Sequence, residues 1–198
     1  MSVDETVVYL IRHGETEWNV QRRLQGHQDI PLSALGLQQA EKVAQRLAKE
    51  RLHAVYSSDL LRAKMTAMRI AHYQQQPVIL HPGLRERSYG TYEGKRWDEI
   101  PGYGEGFRSH LWAAEGVESW LHMQRRAMRT LSEIVSRHVG ERVAVVSHGG
   151  TINAILAYIE GSGEPRYKIA NTSVTCLTYL AGRWNIAWLN DTSHWNGE

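Results

Sequence analysis

One cysteine, Cys176, stands alone among 198 residues, so no disulfide framework can form within the chain. It lies in the apolar run over residues 174–180, where a buried structural thiol is the expected role. Long apolar runs are missing as well. Residues 7–11 are too few to span a bilayer or to serve as a signal h-region, and no basic n-region precedes them, so the expected location is the cytoplasm. Charge of one sign is also lacking. A formal net charge of +2 is too slight for a polyanion-binding surface, which excludes nucleic acid and membrane as expected partners. Any preference for anions must come from the local placement of arginines.

Several catalytic signatures are absent too. There is no G-x-S-x-G elbow and no P-loop, and the glycines at 102, 104 and 106 lack dinucleotide spacing. Ten histidines are scattered singly, without H-x-H, H-E-x-x-H or paired-aspartate spacing, so neither a metal nor a cofactor is expected.

What is present is enough for a sizeable core. At 42% hydrophobic and 22% charged, residues 1–198 are expected to form a single domain, with a flap or small helical insert around 81–116. Within that insert, residues 101–116 are glycine-rich and irregular, and a flap over a cleft is the expectation for them. Elsewhere apolar runs alternate with helical periodicity. Runs at 7–11, 54–56, 77–80 and 143–146 predict strands. A helix after Ser33 as N-cap would bury Leu37, Ala40, Val43, Ala44 and Leu47. A second helix, with Asp59 as its cap, would bury Leu60, Ala63, Ala67 and Ile70, and a third spans 117–138 with Trp120, Leu121, Met128, Leu131, Ile134 and Val135 on one face. A fourth runs from 152 to 159, and residues 174–180 and 184–189 predict a terminal hairpin. Strands alternating with helices imply an α/β fold: a three-layer sandwich whose mainly parallel central sheet is flanked by helices.

Each of the four strand runs is followed by a residue suited to chemistry on an anion. Arg12 and His13 follow the first, Arg62 the second, Glu86 the third and His148 the fourth. In a parallel sheet these ends share one rim, the place where open α/β sheets bind ligands. A neutral imidazole can attack phosphorus, a neighbouring guanidinium disfavours its protonation, and Arg62 in the first turn of a helix is electrostatically awkward unless an anion lies nearby. Arg22 and Arg23, in the loop that continues through Gln25 and Gly26, border the same rim in this reading. For Glu86, between Arg85 and Arg87, the alternative role is a bridging salt bridge.

These motifs taken together, Arg12-His13-Gly14-Glu15-Thr16 with Asn19, residues 57–63, Leu84-Arg85-Glu86 with Gly90 and Glu93-Gly94, and Ser147-His148-Gly149, resemble the histidine phosphatase superfamily, in its phosphoglycerate mutase-like branch of small bacterial phosphatases. The resemblance implies that His13 becomes a phosphohistidine. Arg12, Arg62 and His148 would clamp the phosphoryl oxygens, His148 as a charged or donating imidazole, with Asn19 and the backbone N–H of Gly149 adding donors. Glu86 would act as acid and then base. Gln25, Gly26, Arg87 and Tyr89 complete the expected substrate-binding set, with Arg22, Arg23, Arg108, Tyr103 and Trp112 as further residues for the non-phosphate part. The expected activity is metal-independent hydrolysis of small phosphomonoesters, 3-phosphoglycerate among them. Two alternatives stay open, a cofactor-dependent phosphoglycerate mutase and a non-catalytic phosphate-binding module, and a homodimer is left open as the assembly.

Overall fold

The computed structural model describes residues 5–100 and 115–196. In chain order its elements are β1 (Thr6–Arg12), α1 (Glu17–Val20), α2 (Ala34–Leu47), β2 (Ala54–Ser57), α3 (Leu61–Gln74), β3 (Val78–Leu80), α4 (Trp120–Arg137), β4 (Arg142–Ser147), α5 (Gly149–Glu160), β5 (Val174–Leu180) and β6 (Arg183–Asp191). The strands form one sheet in the order β3-β2-β4-β1-β5-β6. The first four are mutually parallel, and β5 and β6 extend the sheet antiparallel from β1.

The central strands read as unbroken apolar runs because both of their faces are covered. Val8 and Leu10 of β1, with Val143 and Val145 of β4, pack beneath α4 and α5 through Leu131, Ile134, Ile152 and Ile155. Tyr9, Ile11, Ala144 and Val146 point the other way, onto Val43, Ala44 and Leu47 of α2 and Ala63, Ala67 and Ile70 of α3. This is the expected three-layer α/β sandwich. β1 leads to a helix on one face and its neighbour β4 to a helix on the other, so the two strands meet at a topological switch point. Arg12 and Ser147 are paired in register, which brings His13 and His148 side by side above that crevice.

Four local expectations are revised. Asp59 does not cap α3: its carboxylate is engaged bidentately by Arg85, at 2.7 and 2.6 Å, and the carboxylate of Asp29, from a distant loop, accepts the Leu61 N–H at 2.5 Å instead. Leu37 and Leu121 are 38% and 49% exposed, and the buried face of α4 runs through Met123, Gln124 and Ala127. α5 begins at Gly149, three residues before the apolar periodicity does, because the chain turns helical as soon as it leaves the extended His148. The terminal hairpin turns through Ala181 and Gly182, both at positive φ (48° and 82°), the signature of a tight primed turn. Within the insert, short 3₁₀ turns occupy Pro82–Leu84, Gly90–Tyr92 and Trp97–Glu99. The flap expected over 101–116 falls almost wholly on residues 101–114, outside the described residues.

Candidate active site

His13 sits one residue past β1 in a loop fixed by its backbone. Its N–H donates to the Ser147 carbonyl (3.0 Å), its carbonyl accepts from Asn171 Nδ2 (3.0 Å), and the Gly14 N–H donates to Thr66 Oγ1 (3.0 Å). Gly14 is required by contact, since a Cβ there would lie 2.6 Å from the Gly36 carbonyl oxygen. The imidazole is 3% exposed, and its Nδ1 lies 2.6 Å from the Gly14 carbonyl. A carbonyl only accepts, so Nδ1 carries the hydrogen and Nε2 keeps its lone pair. Burial, then repulsion from Arg62 and Arg12, holds this histidine well below the usual imidazole range. It is a neutral, oriented nucleophile.

Around it are buried donors that the protein itself does not satisfy. Arg12 donates through Nη1 to the Ile169 carbonyl (2.6 Å), and Arg62 donates through Nη1 and Nη2 to the carbonyls of Gln28 and Gly26 (2.8 Å each). In both, the buried Nε has no hydrogen-bond partner. Arg62 is 1% exposed, and burial pushes its guanidinium down to about 10, so it remains charged at neutral pH. His148 is fully buried, with its ring 5.1 Å from that of His13; Nε2 contacts Ser58 Oγ at 2.8 Å and Nδ1 is unpartnered. Burial and the two arginines hold it, too, well below the usual imidazole range, so its charged form is disfavoured and hydrogen-bond donation is the role that remains. Leaving so many buried polar atoms unpaired costs about 1–3 kcal/mol each, and such a cost is characteristic of a site built for a ligand.

Glu86 makes no bridge between its neighbours. Its carboxylate accepts from the backbone N–H groups of Arg87 (2.8 Å), Gly150 (2.9 Å) and Thr151 (3.1 Å), the last two at the amino end of α5. A Cβ on Gly150 would lie 2.5 Å from Glu86 Oε1, so only glycine admits the carboxylate there. Glu86 offsets part of the downward shift in both Arg12 and Arg62, a measure of its closeness to them. Asn19 is fixed through its Oδ1, which accepts from the Thr16 N–H (3.1 Å), so the amide NH₂ is left facing the cleft.

Arg12, His13, Asn19, Gln25, Gly26, Arg62, Glu86, Tyr89 and Gly149 line one cleft of about 640 Å³. Arg87 is not among its walls: it is 2% exposed and turned away, with Nε donating to the Glu118 carbonyl at 2.7 Å. Arg23 reaches the cleft, Arg22 lines a separate, smaller hollow with Arg96 and Asp98, and Arg108, Tyr103 and Trp112 lie outside the described residues. The far wall is a surprise. It comes from Trp97, Trp120 and the loop over residues 163–169, which Asn153 ties to α5 by bonding both the N–H and the carbonyl of Tyr167. That loop has neither periodicity nor motif, and only its basic residues, Arg166 and Lys168, hinted at a place beside an anion. Among the described residues no group of three or more His, Cys, Asp or Glu is arranged to hold a metal ion, and no helix is long and apolar enough to cross a membrane.

The comparisons agree with this geometry. The chain is 40% identical over 198 residues to the metal-independent phosphoserine phosphatase of Arabidopsis thaliana, covering 96% of this chain and 83% of that one. Among solved structures it is similar to the Bacillus stearothermophilus protein YhfR, with TM-score 0.89, 35% identity and coverage of 96% and 98%. It is also similar to a phosphoserine phosphatase mutant from Entamoeba histolytica solved in complex with phosphoserine, with TM-score 0.84, 31% identity and coverage of 96% and 98%. Residues 8–192 match the family model, and with the two strand ends joined above one crevice, the chain belongs to branch 1 of the histidine phosphatase superfamily.

Proposed function

We propose that the chain is a metal-independent phosphomonoester hydrolase that acts on small phosphorylated metabolites through a phosphohistidine at His13. In the first step the Nε2 lone pair attacks phosphorus, the P–O bond to the substrate alcohol breaks, and the leaving oxygen takes a proton from Glu86. In the second, Glu86 takes a proton from water, the resulting hydroxide attacks the phosphohistidine, and the N–P bond breaks to release inorganic phosphate. Arg12 Nε, Arg62 Nε, His148 Nδ1, the Asn19 amide and the Gly149 N–H hold the phosphoryl oxygens, each worth about 10²–10³-fold in rate where it meets developing charge. Gln25, Gly26 and Tyr89 contact the alcohol part. Because Arg87 is turned onto Glu118, its contribution is to that wall rather than to direct contact.

The observation that carries this reading is the tautomer of His13: a hydrogen held on the Gly14 carbonyl leaves Nε2 free amid unpartnered donors. The names of the relatives support phosphoserine as a substrate, and the basic residues of the cleft support a substrate with a second anionic group, as in phosphoserine or 3-phosphoglycerate. One assay separates the readings. With 3-phosphoglycerate and phosphoserine as substrates and excess chelator present, inorganic phosphate and 2-phosphoglycerate are measured side by side. Phosphate release undiminished by the chelator is expected. Faster formation of 2-phosphoglycerate would make the protein a mutase, and binding of the esters without turnover would make it a phosphate-binding module.

A further inference from the structure

Glu86 lies on an irregular segment, yet a proton donor must be held to a fraction of an ångström. The segment has only a 3₁₀ turn, Pro82–Leu84, before it, so its rigidity must come from outside. It comes from one side chain. Arg126, in the second turn of α4, donates to the carbonyls of Gly83 (3.0 Å), Arg85 (2.7 Å) and Glu86 (2.9 Å), and bidentately to the carboxylate of Glu118 at 2.6 and 2.7 Å. These five bonds match the five N–H donors of a guanidinium. Its partner holds the other flank. Glu118 accepts from the Ser88 N–H through its carboxylate and from Arg87 Nε through its carbonyl, and its own N–H donates to the Ser88 carbonyl at 2.9 Å. Both side chains are largely buried, 17% and 10% exposed, so the pair is shielded from solvent screening.

From this we infer that Arg126 is a positioning residue for the proton donor: with Glu118 it clamps residues 83–88 on both sides and so sets where the Glu86 carboxyl meets the leaving oxygen. The inference rests on the proposed role of Glu86 as general acid. A lysine cannot substitute, because one ammonium offers three donors from a single point rather than a planar fork reaching four groups.

The test uses leaving groups. 4-Nitrophenolate departs without a proton, whereas the serine alkoxide of phosphoserine needs one, and kcat/KM reports only the steps through phosphoenzyme formation. Glu86→Gln should lower kcat/KM for phosphoserine about 10²–10⁴-fold and for 4-nitrophenyl phosphate far less. Arg126→Lys should show the same discrimination at about 10–10²-fold, with unchanged discrimination between the two esters counting against it. Glu118→Gln, which loosens Arg126 without removing it, should discriminate in the same sense by a few-fold to about 10-fold, and it decides the matter where a thermal melt shows Arg126→Lys to be unfolded. If Glu86→Gln discriminates but the clamp variants lower both esters equally, or neither, Arg126 is only structural and the inference is overturned. If Glu86→Gln fails to discriminate, the general-acid role falls first and the inference falls with it.

Discussion

The two ends of the parallel strands use histidine in opposite ways. At the amino end, His138 follows α4 just before β4 and has both ring nitrogens occupied, Nδ1 by the Glu141 carboxylate at 2.6 Å and Nε2 by the Tyr56 hydroxyl at 2.9 Å. Its carbonyl also accepts from Thr6 Oγ1, at the start of β1. At the carboxyl end, His148 keeps a bare Nδ1 beside the bare Nε atoms of Arg12 and Arg62. One histidine completes a hydrogen-bond chain that closes a layer of the fold. The other is held without its full set of partners at a cost in stability, which is what a preorganised anion site requires.

The sharpest way to break this contrast is to exchange its consequences. His148→Gln, which roughly keeps the volume, should lower kcat/KM for phosphoserine about 10²-fold or more while moving the urea midpoint little. A large loss of stability with little loss of rate would show that the carboxyl-end histidine, too, is structural. His138→Ala should do the converse. It leaves the buried end of Tyr56 without its partner and should cost about 1–3 kcal/mol in urea unfolding, with kcat/KM within a few-fold of wild type.

Acid sharpens the same comparison. In the folded chain His13 and His148 stay neutral well below the ordinary imidazole range because of burial and the nearby guanidinium groups, whereas in the unfolded chain they bind protons near pH 6.5. The unfolded state therefore holds more protons below that pH. Stability should fall as pH drops beneath about 6.5, by about 1.4 kcal/mol per pH unit for each histidine, until the folded-state values are reached. Urea unfolding between pH 5 and 6.5 tests this, and His148→Gln should shallow the slope by one proton. A slope identical in wild type and variant would mean that His148 is already protonated in the folded protein.

Sequence periodicity reveals the sheet and its catalytic rim for a local reason. Each central strand is a short run buried on both faces, and the residue after it needs no distant partner to be noticed, which is why Arg12, His13, Arg62, Glu86 and His148 stand out and why the structure brings them together. Features that depend on pairing across the chain were hidden. Asp59 has the form of a cap, but Arg85 captures it and Asp29 takes its place. Arg87 looks like an anion ligand until Glu118 turns it away. The Arg126 clamp joins segments about 40 residues apart, and the loop over residues 163–169 enters the cleft only because Asn153 holds it there. Periodicity also overreached at Leu37 and Leu121, where the helix face continues past the edge of the layer it covers.

Covalent trapping tests the central claim most directly. Brief incubation with phosphoserine labelled in its phosphoryl group, followed by a denaturing quench, should yield a phosphoprotein labile to acid and stable to alkali, with the label on His13 and no label in His13→Ala. Label that persists in His13→Ala, or wild-type turnover at full rate with no labelled protein at any quench time, would contradict it.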